Sequence, residues 1–331
     1  MITKRRFLSL TCCSTLASFA PSLGQVAQSQ AVRRLTRILV GFAAGGNTDF
    51  VARLLANEMK DYSSAVIVEN RPGASGRAAL DGLKSSVADG STLTLTPAAM
   101  IVLFPHIYKS LRYDPFADFI PVTMIGRFPY LVTVGPMVPD QVKTLADFIA
   151  WCRANPQLAT HGLAGGAGTP LHFTGVMLAR AASFEFIHVP YQGGALTVQD
   201  LLGGQIASAI LPFDVPLPYI QSGKVRALAT TGPQRSTVLP EVPTVKEAGY
   251  PSLEFVDWFG VFLPANTPAE TVDALDRAIH QVLKREEAKA TFAKISYEIA
   301  DASKADFARL IKSDFERWGQ IVKASGFTPL D

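Results

Sequence analysis

The chain has little cysteine: three residues in 331, two of which, Cys12 and Cys13, stand close to the start. Both lie in a segment expected to be removed on export, which leaves Cys152 without an intramolecular partner, so no disulfide and a buried structural thiol are expected. Acidic residues are absent from residues 1–31, which hold three of the basic ones. The chain carries 31 basic and 28 acidic residues, so residues 32–331 hold 28 of each and are formally neutral. Neutrality without a basic stripe excludes a nucleic-acid footprint. Beyond residue 31 no apolar run approaches the ~20 residues of a membrane span. The chemical signatures of common enzymes are missing too. There is no G-x-S-x-G elbow, no H-E-x-x-H pair and no Gly-Lys-Ser/Thr after a glycine loop. The five histidines (His106, His161, His172, His188 and His280) lack metal-ligand spacing. No enzymatic activity, metal or cofactor is expected.

What is present begins with an address. Lys4, Arg5 and Arg6 precede an uncharged apolar run at residues 7–20, and Ser29 and Ala31 supply small residues at −3 and −1 of a cleavage site. That order reads as a secretory signal peptide over residues 1–31, with a membrane anchor as the alternative. Residues 3–9 resemble a twin-arginine export signal with lysine in the first arginine's place, and Thr11 disfavours lipoprotein processing at Cys12. The remaining 300 residues are expected in the periplasm. At 48% hydrophobic residues they can bury a large core, and at that size they are expected to form two lobes.

Short apolar runs alternate with helical stretches, which predicts an α/β architecture with a largely parallel sheet. Strands are expected at residues 35–42, 66–68, 93–96, 130–134, 161–164, 186–189, 207–211 and 225–230. Helices are expected at 47–59, 75–83, 170–182 and 197–202. Thr144 with Asp147, and Thr267 with Pro268 and Glu270, predict capped helix starts, the second helix running to about Glu286. The last helix spans 303–322, with Phe307, Leu310, Ile311, Phe315 and Trp318 as its core stripe.

Two glycine-rich loops stand where a strand hands over to a helix: Phe42-Ala43-Ala44-Gly45-Gly46-Asn47-Thr48-Asp49 and Gly165-Gly166-Ala167-Gly168-Thr169-Pro170-Leu171-His172. Free amides and the positive end of a helix dipole make such a place an anion site without any lysine or arginine. Glycine permits close backbone approach and positive φ, and Thr48 and Thr169 offer hydroxyls. The alternative is that the glycines only make tight turns and Thr48, Asp49 and Thr169 only cap helices. Ligands of open α/β sheets bind at the carboxyl ends of strands, where both loops lie.

With those loops, the segments Asn70-Arg71-Pro72-Gly73-Ala74, Tyr113-Asp114-Pro115, Pro190-Tyr191-Gln192-Gly193, Leu239-Pro240-Glu241-Val242-Pro243-Thr244 and Trp258-Phe259-Gly260 run through nearly the whole body of the chain. Together they resemble the substrate-binding receptors of tripartite tricarboxylate transporters, the Bug or TctC family. The resemblance implies a two-lobed type II periplasmic binding-protein fold, with residues 32–133 and 255–331 in lobe 1 and 134–254 in lobe 2. It implies a monomer that holds a small di- or tricarboxylate or aromatic acid for membrane transporter subunits. A sensing subunit for a membrane kinase and an exported hydrolase are the alternatives. Carried over by position, the ligand contacts are Phe42, Ala44, Gly45, Gly46, Asn47, Thr48, Asp49, Thr96 and Ala98 from lobe 1. Gly168, Thr169, His172, Gly193 and Asp214 follow from lobe 2. The chain departs from the family pattern at Ala43, where proline is usual, and at 173–178, where a glutamate is missing.

Overall fold

The computed structural model describes residues 32–59 and 61–331, and the expected signal segment lies outside them. The chain opens with β1 (Val32–Val40), α1 (Asn47–Glu58), β2 (Ser63–Asn70), α2 (Arg77–Lys84) and β3 (Thr92–Pro97). Two single turns, α3 (Ala99–Val102) and α4 (Phe104–Ile107), lead to the long strand β4 (Phe119–Val134). The second half holds α5 (Leu145–Ala154), β5 (Thr160–Ala164), α6 (Pro170–Ala181), β6 (Ile187–Tyr191), α7 (Gly194–Leu202), β7 (Ser208–Pro212), α8 (Leu217–Gln221) and β8 (Arg226–Thr230). The chain then returns through β9 (Val256–Pro264), α9 (Ala269–Leu283), α10 (Glu286–Lys294), β10 (Glu298–Ile299) and α11 (Lys304–Ser325).

The sheet is mixed, not largely parallel. β1 pairs in parallel with β2 and β3, and β5 with β6 and β7. β9 runs antiparallel to β3 and β4, and β4 antiparallel to β7, β8 and β10. The reason lies in how the halves are joined. Residues 119–129 of β4 pair with β9, while residues 130–134 pair with β7 and β8, so one strand serves both halves. Its first part escapes a reading by periodicity because Pro121 and Pro129 interrupt it and its register shifts twice. Proline has no N–H to give a ladder, and such shifts break the two-residue alternation.

Helix starts are legible where side chains supply the caps. The Thr144 hydroxyl accepts the Asp147 amide at 3.1 Å and the Asp147 carboxylate accepts the Thr144 amide at 3.0 Å, the expected capping box of α5. Ser303 caps α11 in the same way, accepting the Asp306 amide at 3.1 Å. At α9 the expectation fails. Pro268 is the N-cap, and the Thr267 hydroxyl turns back to donate to the Pro264 carbonyl at 2.7 Å. That helix also stops at Leu283, and α10 is a separate element.

Phe307, Ile311 and Trp318 of α11 are buried as expected. Phe307 meets Trp258 edge to face at 5.1 Å between centroids, and Trp318 meets Phe173 of α6 at 5.9 Å. Arg180 of α6 donates to the terminal carbonyls Ala324 and Ser325 of α11, where a cation suits the helix dipole. α11 therefore packs on both halves. Cys152 is buried and unpaired, and burial pushes its thiol up to about 12. Among the described residues no helix is long and apolar enough to cross a membrane.

Candidate functional site

β1 ends at Val40, and residues 42–46 run exposed to the start of α1. Gly45 holds φ at 88°, a shape that favours glycine, whereas Gly46 is extended at φ −81°. The turn at Gly45 is fixed by Asp49, which is 2% exposed. One carboxylate oxygen accepts the Gly45 amide at 2.9 Å and Arg53 Nε at 2.8 Å; the other accepts Asn70 Nδ2 at 2.9 Å. Burial pushes this carboxyl up, but the Arg53, Gly45 and Asn70 donors together hold it below its ordinary value. Asp49 thus shapes the loop from beneath. Asn70 ends β2, and Arg53 lies one turn beyond Asp49 on the same helix face, a spacing the sequence does display.

No side chain caps α1. Asn47 Oδ1 accepts the Thr48 amide at 2.8 Å, and Thr48 itself is buried. Among the described residues no acceptor pairs with the Gly46 or Asn47 amide. Both stand at the positive end of the helix, next to the exposed loop. Thr96 and Ala98, at the end of neighbouring β3, are buried behind it. The Thr96 hydroxyl lies 3.1 Å from Met100 Sδ, and the Ala98 amide donates to the Trp258 carbonyl at 2.9 Å.

The second loop has the same plan with a different lock. The Thr169 hydroxyl accepts the His172 amide at 3.2 Å and donates to the Gly166 carbonyl at 3.1 Å. The Gly168 amide donates to His172 Nδ1 at 3.2 Å, so that nitrogen must carry no proton. Side chains expected as donors toward a ligand instead hold the turn, while the Thr169 and Leu171 amides have no protein acceptor among the described residues. Gly168 holds φ at 83°, which favours glycine, and a β-carbon there would sit 2.8 Å from Ile107 Cδ1, so the loop lies close against α4.

Further candidates stand at the carboxyl ends of adjacent strands. Gly193, with φ at 118°, follows β6 and starts α7, and the Tyr191 carbonyl before it accepts the Gly165 amide at 3.0 Å. Asp214 follows β7. Its Oδ1 accepts the Tyr297 hydroxyl at 2.6 Å, and that hydroxyl accepts Asn47 Nδ2 at 3.3 Å. The structure therefore links Asn47 of the first loop to Asp214 of the other half through Tyr297. Nothing near Tyr297 in the sequence marks it; the fold alone brings it there.

Neither loop contains a cation. Arg71, whose amide donates to the Val40 carbonyl beside the first loop at 2.7 Å, turns its guanidinium to Glu69 at 2.8 Å, and Arg226 pairs with Asp140 at 2.9 Å. A cavity of about 250 Å³ lies between α1 and α10, beside Arg53, Glu58 and Arg285, and one of about 210 Å³ lies beside Arg127, Trp258 and Asp314. Neither is lined by residues of the two glycine loops. The fold does gather three histidines that look scattered in the sequence. The His188 ring lies 5.0 Å from that of His172 and 6.0 Å from that of His161. Burial, with His188 adding to it, pushes His172 down to about 4 and His161 down to about 3. Among the described residues no group of side chains could hold a metal ion.

Comparison with known proteins adds an independent line. The family described as the tripartite tricarboxylate transporter family receptor matches residues 51–327. Protein BugT of Bordetella pertussis is 32% identical over 88% of this chain and 90% of its own length. A Cupriavidus necator protein from the gbd 5′ region is 32% identical, covering 91% of each chain. Among solved structures, the R. palustris protein with adipate is 30% identical at a TM-score of 0.83, over 89% of this chain and 98% of that one. The periplasmic binding protein BugD is 28% identical at a TM-score of 0.81, over 89% and 99%. MatC from Rhodopseudomonas palustris, with bound malate, is 26% identical at a TM-score of 0.78, over 87% and 99%. The two-lobed α/β fold of periplasmic binding proteins is thus shared along almost the full length of these chains.

Proposed function

The chain belongs to the tripartite tricarboxylate transporter receptor family, and on that premise we propose that it captures a small dicarboxylate between its two halves for membrane transporter subunits. It works as a monomer in the periplasm, after residues 1–31 have been removed. The observation that carries this reading is the pair of helix starts, α1 and α6. Each presents backbone amides without an acceptor among the described residues, at Gly46 and Asn47 and at Thr169 and Leu171, at the positive end of a helix with no cation in the loop. One such end suits one carboxylate, and two ends in two halves suit a ligand with a carboxylate at each end. Phe42, Ala44, Gly45 and Gly193 form the walls by backbone approach, and Asp49, Thr96, Ala98, Gly168 and His172 hold the walls in place.

Adipate and malate, bound by two of the similar proteins, are both dicarboxylates, which favours that class over an aromatic acid. The test is mass spectrometry of small molecules released when protein purified from its native host is denatured. A dicarboxylate in stoichiometric amount is the expected result. Release of only uncharged or cationic molecules contradicts the reading.

A further inference from the structure

The link between α10 and β10 makes polar contacts that the amide cradle does not use. Ser296 stands in the left-handed region at φ 57°, a shape a non-glycine residue keeps only when its surroundings impose it. Its hydroxyl lies 2.7 Å from that of Ser236, which follows β8 in the second half. Tyr297, next along the chain, is buried, with its ring stacked on Phe128 at 4.9 Å and an interplanar angle of 22°. Its hydroxyl has one proton and two lone pairs, so it can donate and accept at once. It does so across the two halves, donating to Asp214 Oδ1 at 2.6 Å and accepting from Asn47 Nδ2 at 3.3 Å.

We propose that Tyr297 is a positioning residue for the ligand site, a latch whose hydroxyl holds the start of α1 and the end of β7 in register. The inference rests on the ligand-binding reading of the two loops and adds to it a device that works before the ligand arrives. Asn47 supplies one of the first loop's amides, so the bond to its side chain fixes where that amide stands. Asp214 is the hydroxyl's anchor in the other half. Burial raises its carboxyl and the Tyr297 hydrogen bond opposes that rise, so the two groups are coupled energetically as well as in space. A receptor held part-way closed loses less order on binding, and its apparent affinity rises with the fraction already competent.

The test uses Tyr297→Phe, which keeps the stacked ring, with Asp214→Ala, which removes the acceptor, and the double variant. Small-angle scattering without ligand is expected to show a larger radius of gyration for each single variant than for the parent protein. Calorimetric titration with adipate is expected to show each single variant weakened about ten-fold, as befits one hydrogen bond to a charged group. The double variant should be no weaker than Tyr297→Phe alone, since both single changes remove the bond between Tyr297 and Asp214. A merely structural tyrosine would lower the melting temperature and leave dimensions and affinity alone. If Tyr297→Phe does not fold, Asp214→Ala carries the same comparison. Unchanged ligand-free dimensions in a folded variant overturn the latch. If the parent protein fails to bind adipate, that result counts against the dicarboxylate reading, and the scattering result still decides the latch.

Discussion

Asp49 and Gly45 divide between them a task that either alone could not perform. Gly45 reaches φ 88° without a steric penalty, and Asp49 then holds its amide in place from a buried position. Because the Asp49 carboxyl lies below its ordinary value, its contribution to stability is present above that value and is lost as pH falls through the lowered one. The loop therefore has a shape of its own before any ligand arrives. A β-carbon at Gly45 would meet nothing within 4 Å, so Gly45→Val does not clash; it forces the turn into another conformation, at a cost of about 1–3 kcal/mol. The account predicts that this variant loses at least ten-fold in dicarboxylate affinity by calorimetric titration. Arg71→Gln and Arg226→Gln, which break only partly exposed ion pairs, are predicted to stay within a few-fold. An arginine variant that abolishes binding while Gly45→Val is tolerated would mean a charged clamp holds the ligand.

The elements around the second loop carry a pH dependence. β5, α6 and β6 bring His161, His172 and His188 together, and Gly168 donates to His172 only while Nδ1 is unprotonated. An unfolded histidine takes up a proton near 6.5, whereas folded His172 does so near 4. Stability from this group is thus full above about 6.5 and declines as pH falls toward 4. Asp257, which burial pushes up to about 6, acts in the opposite sense below that pH, so a variant is needed to isolate the histidine. The melting temperature of His172→Gln is expected to fall less steeply between pH 6.5 and 4 than that of the parent protein, and parallel profiles would contradict this. None of this was legible from spacing, because the three histidines come from different elements. By contrast, α5, α6 and α11 could be read from the sequence, since period and cap lie within one short segment, and α1 by its period alone. The first part of β4, residues 119–129, could not, since its prolines and register shifts hide the alternation. Nor could Tyr297 or its contact with Asp214, which spans 83 positions.

For the molecule as a whole, the two halves are joined at more places than β4 and β9 alone. α11 packs on β9 through Phe307 and on α6 through Trp318, while Gly168 of the second loop lies against Ile107 of the first half. The loops that look alike in sequence are thereby set at the carboxyl ends of strands in two halves that share a strand. Two separate anion sites would take one small anion each, whereas one shared site takes a single dicarboxylate. Calorimetric titration of the purified protein with adipate and malate tests this most directly. The account predicts saturable binding of at least one of them at one ligand per chain, with no binding of adipamide, which has the length of adipate without its charges. Two ligands per chain, equal binding of the diamide, or no binding of either dicarboxylate would contradict it.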